Sequence, residues 1–578
     1  MEKWFVTMKK ADFNGIAAKY HISPILARLI RNRDVTEDAQ IGSYLNGTDA
    51  DLHDGMRMKD MDRAVEILKE KIQAHVPVRV IGDYDIDGVN ASYILLEGLS
   101  GLGADVDADI PDRIRDGFGL NKMLIDKALE DGIDTIITCD NGIAAFDEIA
   151  YGKEHGLTII VTDHHEIPYL ETEEGRSYQM PPADAVVDPH RPDCEYPFKG
   201  LCGAAVAFKL VEALYRARKE DPGRIRHLME HVAIATVGDV MDLQGENRIF
   251  VKTGLNMLKR TRNEGLKALI ECTGVPSDRI SAYHIGFVLG PCINASGRLD
   301  TAKRALALLN AKDAQEASRL AEELKELNDS RKDMTEQGVE QAVEMIENSA
   351  LKEDKVLVVY LPDCHESIAG IIAGRIRERY YRPVFVLTSA EEGVKGSGRS
   401  IESYHMFEEM NRCRELFTRF GGHKLAAGLS LPEENVEVFR KRINELSRLT
   451  EEDLIEKVSI DMQLPIAYLS QKLVEELELL EPFGKGNSKP LFVEKNLRVI
   501  SPRIVGKNQN VLKFQVEDAR GLRMDAVYFG DVGACMEYMK HKSKMAFTYY
   551  PSVNEYMGRR SLQITVVHYR SALTLKKN

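Results

Sequence analysis

Short apolar runs alternate with amphipathic stretches through the first 245 residues of the 578-residue chain. Four runs have the length and the β-branched content of buried strands, namely Val78–Ile81, Thr135–Thr138, Leu157–Thr162 and Val232–Val237. The intervening stretches carry apolar residues at helical spacing and lie at 61–73, 90–103, 121–132 and 145–156. This alternation of strand and helix predicts a parallel, doubly wound sheet.

The pattern changes further along the chain. A helical stretch leads into a long segment that predicts a connecting helix, broken near Asn328–Ser330, where residues of weak helix propensity gather. A second α/β lobe follows, with two Gly-rich loops at 393–400 and 420–428. Beyond it, short alternating runs separated by turns predict a small β-barrel of the oligonucleotide-binding (OB) type. The predicted divisions are a lead-in at 1–45, a first lobe at 46–245, its helical extension at 246–310, the connecting helix at 311–350, the second lobe at 351–448 and the barrel at 453–578.

Composition indicates a folded, multi-domain chain of a reducing compartment. The eight Cys lack CxxC pairs, which argues against zinc ribbons and against a disulfide framework. The first residues lack an apolar signal core and no long apolar stretch is free of charge, so we expect a cytoplasmic protein without a membrane segment. The net charge of −14 weakly disfavours a polyanionic partner. Arg375, Arg377, Arg379 and Arg382 nevertheless cluster, either as a solvated helix face or as a binding groove.

Acidic and His-bearing motifs follow the four apolar runs. They are GDYDIDG at 82–88, TCDNG at 138–142, TDHHE at 162–166 and VGDVMD at 237–242. In open α/β sheets, ligands bind beyond the carboxyl ends of the strands, so we expect these loops to converge on one centre. Taken singly, each Asp could equally cap a helix. Four such motifs in one lobe favour a two-metal phosphoesterase site.

The acidic residues of these motifs have individual predicted roles. Asp85 and Asp87 lie two apart, so in an extended backbone their carboxylates project to the same side, which Asp83 shares. Asp140 lies in a turn at a strand end, where one carboxylate can bridge two metals. Asp239 lies in a similar setting, with Asp242 as a nearby competitor.

The two His residues are neighbours, and this limits what they can do together. We expect the side chains of His164 and His165 to diverge, which leaves one as a metal ligand and the other as a substrate contact. A set of oxygen ligands with a single imidazole suits Mn²⁺ or Mg²⁺.

These motifs resemble those of the DHH phosphoesterase superfamily and, within it, the RecJ family of single-stranded-DNA-specific exonucleases. The strand-end motifs alone resemble only the superfamily. The closer resemblance covers the whole chain and rests on further segments, which are IPDRIRDGFGLN at 110–121, GENRIFVKTGL at 245–255, GPCINASGR at 290–298, GSGRS at 396–400, FGGHKLAAGL at 420–429, PFGKGN at 482–487 and NEYMGRRSLQ at 554–563.

The resemblance implies a fold and a set of site residues. The fold would be a two-lobed α/β phosphoesterase with DHH and DHHA1 lobes, a connecting helix and a C-terminal OB-type barrel. The expected ligands of two divalent ions, with Asp140 bridging, are Asp85, Asp87, Asp140, His164 and Asp239. Asp83, Asp163 and His165 would stand behind these ligands or face the substrate. His423 would reach the scissile phosphate, and the residues that contact the strand and its 5′ end would be Arg113, Ser397, Arg399, Gly421 and Gly422.

The implied activity is 5′→3′ hydrolysis of single-stranded DNA to 5′ mononucleotides by two-metal-ion catalysis, in DNA repair and recombination. The barrel would bind the strand through stacking side chains, for which Phe514, Tyr528 and Tyr556 are candidates, although each is equally a candidate for the barrel core and core is favoured for Phe514. Single-strand-binding protein and a helicase are candidate partners, and a monomer is the default expectation.

Two other functions stay open on the residues alone. A DHH phosphodiesterase of short oligonucleotides or cyclic dinucleotides would share the metal centre without needing a barrel. A metal-free DNA-binding module predicts missing ligands, whereas every expected Asp and His is present. Departures from the family pattern, such as Asn90 where a hydroxyl residue is usual, remove none of the expected ligands.

Overall fold

The computed structural model describes residues 2–113, 116–117, 119–172, 175–506, 508–556 and 558–572, without the side chains of Tyr556 and Arg559. Its strands are β1 (Glu2–Val6), β2 (Val78–Gly82), β3 (Val106–Asp109), β4 (Thr135–Cys139), β5 (Thr158–Thr162), β6 (Tyr169–Thr172), β7 (Gly175–Tyr178), β8 (Ala185–Val187), β9 (Leu357–Tyr360), β10 (Val384–Ser389), β11 (Val394–Arg399), β12 (Arg419–Gly422), β13 (Ala426–Leu431), β14 (Glu456–Ile460), β15 (Met462–Gln463), β16 (Phe492–Val505), β17 (Val511–Glu517), β18 (Arg523–Tyr528), β19 (Met545–Tyr556) and β20 (Arg559–Ser571).

The α-helices are α1 (Phe13–Tyr20), α2 (Pro24–Asn32), α3 (Asp38–Asn46), α4 (Met61–Ala74), α5 (Ile86–Ser100), α6 (Lys122–Glu130), α7 (Phe146–Glu154), α8 (Gly203–Ala217), α9 (Met229–Gly238), α10 (Gly245–Leu258), α11 (Glu264–Thr273), α12 (Ala282–His284), α13 (Gly290–Leu299), α14 (Lys303–Asn310), α15 (Ala314–Glu347), α16 (Glu366–Tyr380), α17 (Met406–Asn411), α18 (Val436–Leu446), α19 (Gln471–Leu477) and α20 (Val532–Lys540).

The chain divides into two compact units that are not contiguous in sequence. The first consists mainly of residues 54–239 and 254–456, and the second of residues 3–53, 240–253 and 457–578. The lead-in and most of α10 therefore belong to the same unit as the C-terminal region, which the sequence pattern does not indicate. The domain divisions expected from the sequence stay predictions.

The first unit contains a five-stranded parallel sheet in the order β3-β2-β4-β5-β8. Three of the four predicted strands are present as β2, β4 and β5. The fourth prediction is wrong, because Val232–Val237 lies inside α9. Helix α9 is buried on nearly all sides, so its sequence shows no polar face, and a short apolar run without periodicity does not distinguish a buried helix from a buried strand.

Helix α15 is continuous over 34 residues, so the break predicted near Asn328–Ser330 is wrong. Asn328 is buried, and its side-chain amide contacts Cys292 Sγ at 3.4 Å while its carbonyl accepts a hydrogen bond from Arg331 Nε at 3.1 Å. Tertiary packing therefore outweighs the weak helix propensity of this segment.

The second lobe of the first unit contains a mixed sheet in the order β12-β13-β11-β10-β9. The two segments predicted as Gly-rich loops contain β11, most of β12 and the first half of β13, so that prediction is wrong. Their glycines alternate with side chains, and in register Ser397 pairs with Gly428, which pairs with Gly421. On one face of the sheet, Phe385 of β10 packs against Phe439 of α18, and α15 and α16 cover the other face through Ile346 and Ile372.

The second unit contains a six-stranded sheet in the order β15-β16-β17-β18-β20-β19, and a further pairing between β16 and β19 closes it into a barrel. The core of this unit combines Phe514 and Phe547 from the barrel with Leu26 and Ile30 from α2. The predicted fold class, two α/β lobes joined by a long helix and followed by an OB-type barrel, is confirmed. None of the helices in the described ranges has the length together with the apolar character that a bilayer crossing requires.

Candidate active site

The carboxyl edge of the parallel sheet brings the acidic motifs together. Asp83 directly follows β2, Asp140 follows β4, and the segment 163–165 follows β5. Asp239 arrives differently, because it is the residue at which α9 ends. Asp239 was predicted to lie beside the strand-end motifs, and the contacts described below agree with that position, although a helix and not a strand leads to it.

The side chains form three overlapping groups in which the candidate ligand atoms lie within 4.8 Å of one another. One group consists of Asp83, Asp85 and Asp140, and a second consists of Asp87, His164 and Asp239. The third consists of Asp140, His164 and His165, so the expectation that the two His side chains diverge is wrong, and their ring centroids lie 4.7 Å apart. Asp140 and His164 each take part in two groups, and Asp140 is the carboxylate that the first and third groups share. Its expected bridging role stays a prediction.

Helix α5 begins between Asp85 and Asp87, so the extended backbone assumed for this pair is not observed. Asp85 is the N-cap, and its Oδ1 accepts hydrogen bonds from the backbone N–H groups of Asp87 at 2.8 Å and Gly88 at 3.2 Å. Capping and a place in the cluster are therefore compatible for this residue. Asp83 joins Asp85 in its group.

The N-terminus of α8 holds Asp87 in place. The backbone N–H groups of Gly203 and Ala204 donate to the two carboxylate oxygens at 2.6 and 2.7 Å. The positive end of a helix dipole favours this negative charge. A Cβ atom at position 203 would lie 2.7 Å from Asp140 Cβ, so only glycine allows α8 to approach both carboxylates.

His164 directs Nε2 into the acidic cluster. Nε2 lies 3.0 Å from Asp140 Oδ1, 3.5 Å from Asp87 Oδ2 and 3.8 Å from Asp239 Oδ2. Burial lowers the pKa of His164 to about 4, so the ring is neutral near pH 7 and can offer a lone pair. The ring also hydrogen-bonds to the backbone of Leu201, which fixes its orientation as an outer partner of a metal-bound imidazole does.

The carboxylates repel one another in a buried setting. Burial raises the pKa of Asp87 to about 7, with a further contribution from Asp85. Burial and neighbouring carboxylates also raise the pKa of Asp83 and Asp140 well above the usual value. Asp83 Oδ1 is buried and has no hydrogen-bond partner among the described residues. Divalent cations would reduce the repulsion between the carboxylates and would give Asp83 Oδ1 a partner. A donor set of carboxylate oxygens with one imidazole fits Mn²⁺ or Mg²⁺.

Asp163 and His165 support the cluster from the β5 loop. Asp163 Oδ2 accepts from the backbone of Ile143 at 3.0 Å, and its Oδ1 lies 2.7 Å from His165 Nδ1. This carboxylate helps to raise the pKa of His165 to about 9, so His165 is cationic at neutral pH. Its side chain is 45% exposed, which is compatible with the predicted substrate contact.

The turn after β4 requires an unusual backbone. Asp140 has φ +59° and Gly142 has φ +112°. The left-handed conformation of Asp140 is uncommon outside glycine, and strain of this kind concentrates at functional sites. Asn141 stabilises the turn by donating to the carbonyls of Ile81 at 3.1 Å and Cys139 at 2.9 Å.

Sequence reasoning missed some supporting residues. Asn294 on α13 accepts a hydrogen bond from the backbone N–H of Ile86 at 2.8 Å, where α5 begins. Asp188, after β8, is fully buried and lies near the ring of His190. Asn294 lies in the motif NASGR, and Asp188 directly follows a short apolar strand. The sequence therefore indicated that both could lie near the site, but it did not indicate what either side chain does there.

Within the first unit, a cavity of about 450 Å³ lies between the lobe that contains the parallel sheet and the sheet of the second lobe. Tyr84 and Arg113 line it from one lobe, and Ser367, Ser397 and Gly421 line it from the other. The Arg113 guanidinium lies 4.9 Å from the centroid of the Tyr84 ring. The structure therefore brings three of the five predicted strand-contacting residues to one cavity.

The remaining predicted residues lie close to this sheet without lining the cavity. Arg399 is half-buried and donates to the carbonyl of Gly398 at 2.8 Å. Gly422 has φ +152° and is followed by His423, which is exposed in the turn between β12 and β13. No hydrogen bond or ion pair joins the His423 side chain to another described residue, so its reach to the phosphate stays a prediction. Arg298, which the sequence reading did not single out, donates to the carbonyl of Ser367 at 2.7 Å.

Three family models match successive parts of the chain. The DHH family, N-terminal domain, matches residues 77–236, and the DHHA1 domain matches residues 353–448. The RecJ OB domain matches residues 460–568.

Curated relatives match nearly the whole chain. A single-stranded-DNA-specific exonuclease RecJ of Bacillus subtilis (strain 168) is 35% identical over 571 residues, which are 98% of this chain and 70% of that protein. The protein of the same name from Salmonella typhimurium is 34% identical over 568 residues, which are 94% of this chain and 95% of the relative.

Solved structures agree with the relatives. RecJ from Thermus thermophilus in complex with Mn²⁺ matches with a TM-score of 0.83 at 30% identity, covering 98% of this chain and 79% of that one. A RecJ exonuclease bound to manganese matches with a TM-score of 0.59 at 33% identity, covering 68% of this chain and 96% of the other. The resemblance found in the motifs is confirmed, and the chain belongs to the RecJ family of single-stranded-DNA-specific exonucleases.

Proposed function

We propose that this protein is a 5′→3′ exonuclease that hydrolyses single-stranded DNA to 5′ mononucleotides with two divalent ions, Mn²⁺ or Mg²⁺, in DNA repair and recombination. The observation that carries the proposal is the buried cluster in which Asp140 stands between Asp83 and Asp85 on one side and His164 on the other. The single-strand-specific relatives, which cover the barrel as well as both lobes, favour this activity over hydrolysis of cyclic dinucleotides.

The residues proposed to hold the ions are Asp85, Asp87, Asp140, His164 and Asp239. Asp83 is a further candidate because its Oδ1 is buried without a described partner. When bound, two such ions lower the pKa of an attacking water and stabilise charge on the phosphoryl oxygens. The helix termini of α5 and α8 orient the carboxylates before substrate arrives, so little reorganisation is needed during the reaction.

The second sheet is proposed to hold the 5′ end. Arg113 and Ser397 face one cavity from opposite lobes, so a terminal phosphate there would be bound from two sides. A guanidinium gives directional, charge-assisted contacts to phosphate oxygens. Arg399 and His423 are proposed to act beside this position, His165 is proposed to contact the strand, and the glycines at 421 and 422 would allow close approach of its backbone.

The barrel is proposed to hold the strand beyond the active site. Phe514 is 2% exposed, so the expectation that it belongs to the core is confirmed. Tyr528 is half-buried against Tyr569, and the Tyr556 side chain lies outside the described residues. Phe529 is 61% exposed immediately after β18 and is a better stacking candidate than Tyr528.

The decisive experiment is Mn²⁺-dependent digestion of a long single strand labelled at its 3′ end, beside a blunt duplex of the same sequence. We expect progressive shortening from the 5′ side in the single strand alone. Asp140→Ala should abolish it, whereas Asp147→Ala, at an exposed position of α7, should not. Cleavage of dinucleotides without action on the long strand would instead favour the small-substrate phosphodiesterase.

The role of the barrel needs a substitution instead of a deletion. Removing residues 457–578 would uncover Leu26 and Ile30, which share its core, and so would confound binding with folding. Phe529→Ala should raise the KM for long strands while sparing dinucleotides, and Tyr468→Ala, at a 68% exposed position outside the barrel strands, is the matched control. Single-strand-binding protein and helicase partners, a monomeric state and a cytoplasmic location stay predictions.

A further inference from the structure

The cavity on the second sheet continues past the position proposed for the 5′ phosphate. Its lining includes a second row of side chains, Lys395 on β11, Ser430 on β13 and Arg419 on β12. In register, Lys395 pairs with Ser430, which pairs with Arg419, so the three lie side by side on one face of the sheet. None of them is required by the function proposed above.

The first row, which carries the proposed phosphate contact, is nearly bare. Ser397 pairs with Gly428, which pairs with Gly421, and a Cβ at either glycine would meet nothing within 4 Å. The two rows are two residues apart along each strand, or about 7 Å. The first row therefore leaves an open groove on the sheet, and the side chains of Lys395, Ser430 and Arg419 line one side of this groove.

The charges of the cavity favour an anion larger than one phosphate. Arg113, Lys395 and Arg419 are cationic, whereas Glu366 is the one acidic residue among its described lining residues. The Arg419 side chain is exposed and forms no hydrogen bond or ion pair with another described residue. A volume of about 450 Å³ lies in the range of pockets that enclose whole small molecules, so a single phosphoryl group leaves most of it unfilled.

Glu366 lowers the affinity of the cavity for anions, because its carboxylate pairs with Lys395. Its Oε2 lies 2.8 Å from Lys395 Nζ, so the lysine is already paired. An incoming phosphate must compete with this carboxylate for the ammonium group. Removing the negative charge should therefore strengthen binding, while removing Lys395 or Arg419 should weaken it.

We propose that Lys395, Arg419 and Ser430 form a second anion subsite that accepts the outer phosphates of a 5′-di- or triphosphorylated single strand. The inference rests on the proposed function, because it takes Ser397 and Arg113 as the contacts of the innermost phosphate. Guanidinium and ammonium groups are the usual partners of phosphates, and the long side chains of Lys395 and Arg419 line the same cavity as Ser397 and so can reach the outer groups of a short phosphoanhydride chain.

The test compares strands of one sequence that carry either a 5′-monophosphate or a 5′-triphosphate. Wild type should cleave both, with a KM for the triphosphate equal to or lower than that for the monophosphate. Arg419→Ala and Lys395→Ala should each raise the KM ratio, triphosphate over monophosphate, about fivefold or more, and Glu366→Gln should lower it. Arg442→Ala and Lys441→Ala, on exposed positions of α18, are the matched controls.

Two results would overturn the subsite. One is an equal effect of Arg419→Ala on both strands, which would make Arg419 a general contact of the strand. The other is failure of wild type to accept the triphosphate while it cleaves the monophosphate.

Binding of inorganic triphosphate without divalent ions separates this inference from the exonuclease proposal. If neither strand is cleaved, the proposed function fails, and the calorimetric affinity of wild type against Arg419→Ala and Glu366→Gln decides the subsite alone. Weaker binding to Arg419→Ala and tighter binding to Glu366→Gln would support it. Equal affinities for the three proteins would refute it.

Discussion

The two sides of the interlobe cleft are built in opposite ways. At the acidic cluster, Gly88 and Gly203 are packed so closely that a Cβ would lie 2.3 Å from the Asp83 carbonyl oxygen and 2.7 Å from Asp140 Cβ. On the second sheet, Gly421 and Gly428 have open space above them. The same residue type thus serves a tight fit in one region and an open surface in the other. Carboxylates that hold metal ions need fixed positions, whereas a surface that admits a moving strand needs room.

The largest expected effect is the loss of kcat when a carboxylate of the acidic cluster is replaced, and this effect distinguishes the cluster from the second sheet. Asp140→Asn should lower kcat at least about 10³-fold, because loss of even an outer partner of a metal ligand typically costs 10–100-fold. Arg113→Ala should mainly raise the KM, by about tenfold, since a recognition contact is lost without disturbing the cluster. Steady-state kinetics on a 5′-phosphorylated single strand measures both, and Asp147→Asn is the control. A kcat effect of Arg113→Ala as large as that of Asp140→Asn would break the division of roles.

Matched glycine substitutions test the packing contrast directly. Gly203→Ala should lower kcat about 10–100-fold, because the methyl group forces α8 away from Asp140 and from the carboxylate of Asp87. Gly421→Ala has room for its methyl group and should change only the KM, by a few-fold. Circular dichroism and thermal unfolding check that both variants fold. Equal losses of kcat in Gly203→Ala and Gly421→Ala would show that the enzyme does not tolerate a methyl group at position 421, despite the open space there.

Metal binding should stabilise the acidic cluster, whereas the second sheet provides no metal ligand and should gain no direct stabilisation. At a Mn²⁺ concentration 100 times the dissociation constant, binding contributes about 2.7 kcal/mol to the free energy of unfolding. With an unfolding entropy of about 2.1 cal/mol/K per residue, this corresponds to a rise in Tm of roughly 3 °C for the first unit, residues 54–239 and 254–456. Differential scanning calorimetry with Mn²⁺ or with a chelator measures it. Asp140→Asn should lose most of the rise, and Ser397→Ala should keep it.

The smallest expected effect belongs to one hydroxyl group of the second sheet. Ser397→Ala removes a single hydrogen-bond donor, worth about 1 kcal/mol, so the KM for a 5′-phosphorylated strand should rise roughly fivefold. The KM for a strand with a 5′-hydroxyl should stay the same, because no terminal phosphate is present to be bound. Equal effects on the two strands would remove Ser397 from 5′-end recognition.

The acidic site could be read from the sequence because of its strand-end positions. The β-branched runs before Asp83, Asp140 and Asp163 form three neighbouring parallel strands, so their loops had to converge. Asp239 was placed correctly for an incorrect reason, since the run before it is a buried helix. Local sequence does not distinguish these cases, because the surroundings that bury α9 come from distant parts of the chain.

The second sheet was harder to predict for a different reason. Glycine in a strand interior is unfavourable, so β11 and β12 looked like loops. Their pairing depends on β10 and β13, and the open face follows from a register that no local pattern encodes. Motif resemblance identified Ser397 and Arg399. Lys395 and Arg419 belong to stretches of the sequence rich in basic residues, but only the strand register shows that they lie side by side across Ser430. Individual roles within both regions therefore need the substitutions described above.

The discontinuous second unit has a consequence for synthesis of the chain. Its core joins Leu26 and Ile30 to residues that follow position 457, so about 400 residues separate the two halves of one core. At typical bacterial and eukaryotic elongation rates, the first 53 residues emerge roughly 20–80 s before their partners exist. During that interval the apolar face of α2 lacks the residues that cover it in the folded unit, so this amphipathic helix needs protection on the ribosome.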